Sequence, residues 1–174
     1  MSSIDLAILG IVMEKPRSAY DIKRDVEDHN YSQWTHISTP SVYKKVLALK
    51  EKGYLKSSTV KGERFADKAV YSITDSGKAY FEQLLNNYSG KLIPLLFDFN
   101  VVISNLNKIS KEDGLRLINR LRGSIANSAW ENEENAEIYV DIPLVGRTIF
   151  DQQRLVYKAL LEWIDEFEKQ YEEE

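Results

Sequence analysis

The change of pattern at Gly53 is the feature that most limits how this sequence can fold. Before it, a helical segment begins at Thr39, which can cap the helix, and the proline that follows is favoured at the first helical position. After it, two runs rich in β-forming residues, 54–60 and 69–73, flank a polar turn with Gly62 at its tip. Gly53 itself suits the left-handed position that ends a helix. A helix followed directly by a β-hairpin is therefore predicted.

Two further helices are predicted before this segment. Each begins near a serine that is followed three residues later by an aspartate, Ser2 with Asp5 and Ser18 with Asp21, an arrangement similar to a capping box. Three short helices and a β-hairpin in this order are typical of a winged helix-turn-helix. The predicted fold class is mainly α, with a winged helix-turn-helix of three helices and a two-stranded wing in residues 1–80.

Residues 81–174 are predicted to form an all-helical domain for dimerisation. Residues 92–106 are apolar on most sides and predict a buried helix, Ser110 caps the next helix, and the acidic segment 131–139 is predicted to be a turn. A last helix begins at about Pro143 and carries a long apolar stripe, for which a second copy of the chain is the expected partner. The predicted dimer interface consists of Val145, Ile149, Val156, Leu160, Trp163 and Phe167.

Composition excludes several classes of function. The chain has no cysteine and only two histidines, so thiolate metal sites and cysteine nucleophiles are ruled out, and no metal-binding or catalytic motif is present. We expect no enzyme activity, no catalytic residue, no metal and no cofactor. The apolar run 6–13 is too short to cross a membrane, and a cytoplasmic location without membrane contact is expected.

Charge is divided unevenly along the chain. Residues 1–80 contain 13 basic and 10 acidic side chains, whereas residues 81–174 contain 10 basic and 17 acidic side chains. This asymmetry is expected when only the first domain meets phosphate groups, although an excess of three is small.

Six segments of the sequence resemble the PadR-like family of transcriptional regulators. They are residues 6–10, 16–22, 39–43, 47–55, 70–77 and 160–163. Ala19 stands where the family usually has glycine, and Lys44 stands where it usually has proline. The longer C-terminal segment is similar to the AphA-like branch, whose C-terminal helices form the dimer. The resemblance implies a homodimeric DNA-binding regulator, and a repressor rather than an activator.

The third helix and the hairpin supply the candidate DNA contacts. Side chains on one helix face can meet base edges in the major groove, and cations in the wing can meet phosphates. Both tyrosines among the candidates fit equally well as packing residues between helices, and a charged face or hairpin tip is also ordinary surface chemistry. The candidates are Tyr20, Thr39, Ser41, Tyr43, Lys44, Lys45, Ala48, Lys61, Gly62, Arg64 and Lys68.

Aromatic residues in the second domain raise the question of a ligand. The resemblance implies an effector that is small, flat and aromatic or hydrophobic, and Phe97, Phe99, Trp130 and Trp163 are the candidate pocket residues. Aromatic side chains at helical spacing are more often core or interface residues. The predicted partners are thus double-stranded DNA with an inverted repeat, a second copy of the chain, and an aromatic ligand. A protein-interaction module, or a small-molecule sensor without DNA binding, remains the alternative.

Overall fold

The computed structural model describes residues 3–60 and 68–174, and it divides the chain into two compact units. The first unit ends at Ile93 and the second begins at Pro94. The sequence placed the domain boundary at residues 80 and 81. That position lies inside a helix, α5, that packs on the first helix of the chain, so the compact unit extends further than predicted.

The first unit has the predicted order of elements. It contains α1 (Ser3–Glu14), β1 (Arg17–Ser18), α2 (Ala19–Asp28), α3 (Tyr31–Trp34), a 3₁₀ turn (Thr39–Ser41), α4 (Val42–Glu51), β2 (Leu55–Val60), β3 (Lys68–Ile73) and α5 (Asp75–Ser89). The fold class predicted from the sequence is confirmed. Ser18 caps α2 in a capping box with Asp21, since the Ser18 hydroxyl accepts from the Asp21 amide at 3.2 Å.

One hydrophobic core holds this unit together. Nearly every face of α1 is buried, which the continuous apolar run of its sequence predicts. Helix α4 contributes Val42, Val46 and Leu49 to the same core, and Leu84 of α5 is fully buried against it. Because the three α4 residues lie on one side of the helix, the opposite side faces outward.

The sheet has three strands in the order β1-β3-β2, all antiparallel. Leu55 pairs with Ile73 at the base of the β2–β3 hairpin, and Val60 pairs with Lys68 at its far end. The two-residue strand β1 was not predicted because so short a segment has no detectable period. The hairpin tip at residues 61–67 lies outside the described residues.

The end of α4 and the start of α5 are joined by close polar contacts. Gly53 has a φ of +77°, the left-handed conformation expected of a residue that ends a helix. The Thr74 hydroxyl donates to the Gly53 carbonyl at 2.7 Å and accepts from the Gly77 amide at 3.0 Å, which caps α5. A Cβ atom at Gly77 would lie 2.2 Å from the Tyr54 carbonyl oxygen, so the backbones meet where only glycine fits.

The second unit consists of α6 (Asn100–Ile103), a 3₁₀ turn (Leu106–Lys108) and two long helices, α7 (Lys111–Ile138) and α8 (Leu144–Glu173). The two long helices pack along each other around Ile118, Ile125 and Ile164. The predicted cap at Ser110 is confirmed, since its hydroxyl accepts from the Asp113 amide at 3.1 Å.

Two predictions for this half of the chain are wrong. Residues 92–106 do not form one buried helix: Leu92 is 96% exposed, and the only helix in the segment is the single turn of α6. Pro94 disfavours helical backbone in the residue before it and so prevents one continuous helix. The apolar character on which the prediction rests carries no information about this interruption. The acidic segment 131–139 is not a turn, because α7 continues to Ile138. Exposed Glu side chains account for most of its polarity, whereas Asn132 is buried and its amide donates to the Phe150 carbonyl at 3.1 Å.

Among residues 3–60 and 68–174, no helix is both long enough and apolar enough to cross a membrane.

The close approach at Gly77 generates a stability prediction. Replacing Gly77 with alanine should lower the free energy of unfolding by about 2 kcal/mol, because the added methyl group forces α5 away from the Tyr54 carbonyl. The matched control is Gly123→Ala in α7, where a Cβ meets nothing within 4 Å. That change should raise stability by about 0.5–1 kcal/mol through helix propensity. Chemical denaturation followed by circular dichroism measures both, and equal stabilities for the two variants would contradict the account.

Candidate nucleic-acid interface

The outward face of α4 presents Tyr43, Lys44 and Leu47. Tyr43 is 43% exposed, Leu47 is 52% exposed, and Lys44 is also exposed. At 100° per residue these three lie together, opposite the buried Val42 and Val46. From the sequence alone, a period of 100° per residue predicts one apolar side made of Val42, Tyr43, Val46, Leu47 and Leu49. The exposure of Tyr43 and Leu47 shows that this prediction is wrong for these two residues, because the core covers a narrower part of the helix surface.

Lys45 points toward the first helix rather than outward. Its ammonium lies 3.2 Å from the carboxylate of Asp5 in α1, whose side chain is only 7% exposed. Tyr80 of α5 adjoins the same carboxylate, and the pKa of its phenol is raised first by burial and then by the negative charge of Asp5. Lys45 therefore neutralises a buried acid and ties α4 to α1.

The other α4 candidates lie near the start of the helix or at the edge of its core. Thr39 and Ser41 belong to the 3₁₀ turn, and the Ser41 hydroxyl donates to the Ser38 carbonyl at 2.6 Å. Ala48 is half-buried. Ser41 and Ala48 thus lie beside the exposed face, but their side chains are less exposed than those of Tyr43, Lys44 and Leu47.

Helix α2 adds side chains beside this face. Tyr20 is 60% exposed. Lys23 forms an ion pair with Glu27 at 2.9 Å, and the pKa of Lys23 is raised first by that hydrogen bond, with the Tyr43 and Tyr20 phenols adding smaller effects. Tyr20, Lys23 and Tyr43 are therefore neighbours across α2 and α4. Lys23 was not among the sequence candidates, because its position in mid-helix carried no motif.

The far end of the described part of the hairpin is held at the start of α2. The Lys68 ammonium lies 2.8 Å from the Asp21 carboxylate, which also accepts from the Ser18 hydroxyl at 2.6 Å. These two hydrogen bonds lower the pKa of Asp21 to about 2, that from Lys68 contributing most. Lys68 is thus engaged within the unit. The other wing candidates, Lys61, Gly62 and Arg64, lie outside the described residues.

In the second unit, three of the four candidate effector residues come together. Phe97 stacks on Phe99 at 5.1 Å between ring centroids, and Phe99 stacks on Trp163 at 5.8 Å. Phe167 continues the stack, 6.0 Å from Trp163. Trp130 is elsewhere on α7 and is 64% exposed.

The candidate interface residues of α8 fall into two groups. Leu160 and Phe167 pack against the core of the unit itself, so the chain already supplies their partners. Val145 is 77% exposed, and Val156 and Trp163 are more than one third exposed. The apolar stripe read from the sequence therefore combines an inner and an outer face of the helix.

A cavity that the sequence did not reveal lies in the first unit. It has a volume of about 340 Å³ and is bounded by α1, α3 and α5, with Leu6, Tyr31, Trp34 and Phe81 in its wall. Its lining is apolar, and it contains none of the predicted effector residues. No cluster of three or more histidine or acidic side chains suited to a metal ion occurs among residues 3–60 and 68–174.

The sequence of residues 8–83 matches the family described as Transcriptional regulator PadR-like family. This segment is a PadR-like domain. It spans the helix-turn-helix, the wing and the first part of α5, so the resemblance read from the sequence is confirmed. The family consists of transcriptional regulators and not of enzymes. No curated protein sequence matches the chain.

Solved structures extend the likeness over both units. Bacillus subtilis PadR in complex with operator DNA is 15% identical with a TM-score of 0.81, covering 98% of this chain and 99% of that one. The same protein in complex with p-coumaric acid is 16% identical with a TM-score of 0.80, covering 98% and 99%. The Vibrio cholerae virulence activator AphA is 18% identical with a TM-score of 0.71, covering 96% of each chain. At these identities the likeness shows a shared PadR-like fold.

The contact between Lys68 and Asp21 makes the PadR-like domain sensitive to acid. Because the pKa of Asp21 falls from 3.8 to about 2 on folding, its carboxylate stabilises the fold above pH 3.8, and that contribution is lost as pH falls through about 2. The stability advantage of the wild type over Asp21→Asn should therefore shrink between about pH 5 and about pH 2. Urea denaturation at a series of pH values measures it. The control Asp28→Asn, an exposed acid of the same helix, should keep the wild-type pH dependence, and a constant advantage over Asp21→Asn would contradict the assignment.

Proposed function

We propose that the chain is a transcriptional regulator that binds double-stranded DNA through α4. The observation that carries the proposal is the outward face of α4, on which Tyr43 and Lys44 project from a helix whose opposite side is locked into the core. Among the described residues, Lys44 takes part in no ion pair within the chain. A cation on a rigid helix face can enter a major groove and donate to guanine or to phosphate.

The surroundings of α4 support this proposal. Tyr20 and Lys23 lie beside Tyr43 and can contact the sugar-phosphate backbone next to the groove. Lys61, Gly62 and Arg64 of the wing are proposed to contact the backbone or the minor groove. Lys45 and Lys68 each have an acidic partner, so we assign them first to positioning α4 and the wing. The fold shared with Bacillus subtilis PadR, which was solved with operator DNA, agrees with this arrangement.

We propose that the working form is a homodimer held by the second unit. Several large apolar side chains of its long helices are exposed, among them Val145 and Leu155. Monomeric proteins rarely expose apolar patches of this kind, whereas a second copy can cover them symmetrically. Two recognition helices related by a two-fold axis would then occupy two half-sites of an inverted repeat, about one helical turn apart.

We further propose that a small aromatic compound relieves repression. Bacillus subtilis PadR was solved with p-coumaric acid, and the second unit of this chain presents a stack of aromatic rings that ends at the partly exposed Trp163. A flat ring can extend such a stack. A ligand that binds one arrangement of the dimer better than another shifts the population, and so changes the DNA affinity.

Salt dependence tests the DNA proposal. Duplexes selected by the full-length protein from a random pool should bind with affinity that falls steeply as salt rises, with two chains per duplex. Lys44→Ala should weaken binding, and if Lys44 contacts a phosphate it should reduce the slope of log K against log salt by about 2 in magnitude, because both copies of the symmetric dimer lose the contact.

The matched control is Lys158→Ala, which removes an exposed lysine from α8 in the second unit. It should leave both affinity and slope unchanged. Fluorescence anisotropy measures affinity, and analytical ultracentrifugation measures stoichiometry. Failure to select any duplex at low salt would overturn the DNA proposal and favour a protein-interaction or sensor role.

Calorimetric titration with p-coumaric acid tests the effector proposal. Binding should be detected with wild-type protein and lost in Trp163→Ala, because the stack loses its exposed ring. Trp34→Ala, at the cavity of the first unit, and the exposed Trp130→Ala should both bind as the wild type does. Loss of binding in Trp34→Ala alone would move the ligand site to that cavity, and no heat of binding in any protein would exclude p-coumaric acid as the effector.

A further inference from the structure

We infer that Leu47 reads the C5 methyl group of a thymine, which makes it a specificity-determining residue of the α4 face. This inference rests on the proposed DNA binding and names one chemical feature of the site. No motif indicated it, because the sequence pattern assigned Leu47 to the core.

The position of Leu47 is the first argument. The core takes Val46 and Leu49 from the same turn of α4, both at most 2% exposed, whereas Leu47 is 52% exposed. Leu47 is thus not required to hold the helix in place. It follows Tyr43 by four residues, so the two side chains are neighbours on one face.

The charges around Leu47 are the second argument. Lys44 lies three residues before it and Lys50 three residues after it, and both are exposed. Residues three apart share a helix face, so Leu47 lies between two cations. A single exposed leucine is common on protein surfaces and needs no explanation by itself. An aliphatic side chain between two lysines can bind a surface on which anionic groups flank an apolar group.

The chemistry of base edges is the third argument. In the major groove the thymine methyl group is the one alkyl group that the four bases present, and the groups that distinguish the other bases are hydrogen-bond donors or acceptors. Leucine can bury the methyl group with a gain in free energy. Against a cytosine or adenine amino group it would displace water without offering a replacement hydrogen bond, which is unfavourable. Leu47 would therefore favour thymine and disfavour the other bases at the same position.

Replacing thymidine with deoxyuridine tests the inference, since the two nucleosides differ only in the C5 methyl group of the base. Duplexes selected by the full-length protein are resynthesised with one thymine replaced in each half-site at a time. At the contacted position the replacement should raise the Kd by about fourfold for each methyl group withdrawn from an apolar contact. In Leu47→Ala the thymine and deoxyuridine duplexes should bind equally well.

Controls separate this reading from a general loss of binding. Lys44→Ala and Lys50→Ala should weaken binding to both duplexes and keep their ratio, because a lysine contact with phosphate or with guanine does not depend on the thymine methyl group. Leu47→Gln keeps a long side chain of good helix propensity and should also lose the discrimination, and unfolding curves confirm that both Leu47 variants are folded.

Two results would overturn the inference while leaving DNA binding intact. One is a wild-type protein that is indifferent to every thymine methyl group in the selected duplexes. The other is a Leu47→Ala variant that keeps the wild-type ratio. If no duplex is selected at all, the proposed DNA binding fails, and the role of Leu47 fails with it.

Discussion

Burial of the inner side of α4 is the constraint on which the rest of the structure depends. Val42, Val46 and Leu49 are almost completely removed from solvent, and rotation of the helix about its axis would expose them. Burying side chains of this size contributes about 1.5–3 kcal/mol each, so the orientation is strongly preferred. The same packing determines which side chains α4 presents outward. One side of α4 thus packs in the core, and the other side is the proposed recognition surface.

The polar contacts of the first unit reinforce that orientation. The Asp5–Lys45 pair ties α4 to α1, and the Thr74 and Gly77 contacts tie the end of α4 to the start of α5. The Asp21–Lys68 pair ties the far end of the described part of the hairpin to α2. Each contact joins two elements that are distant in sequence. Together they explain why two of the lysines in the candidate interface serve positioning before they serve DNA.

Much of the fold could be predicted from the sequence because its signals are local. The serine caps at Ser18 and Ser110 and the helix-ending Gly53 each act within a few residues, and all three appear in the structure. The site was less predictable, because burial depends on contacts between distant elements. No local pattern around Asp5 indicates its ion pair with Lys45, and the apolar pattern of α4 predicts burial of Leu47, which is exposed. The prediction of a buried helix over residues 92–106 is wrong for the same reason, since the apolar character of a segment does not show which other elements cover it.

The central claim is that DNA meets the outward face of α4, and amide chemical shifts of isotopically labelled protein test it most directly. On addition of a selected duplex, the account predicts the largest shift changes at Tyr43, Lys44 and Leu47 of α4, with smaller changes at Tyr20 and Lys23 of α2. The amides of the buried second-unit residues Ile118, Ile125 and Ile164 should change little. Shift changes that spare α4 and concentrate on α7 and α8 would contradict the account.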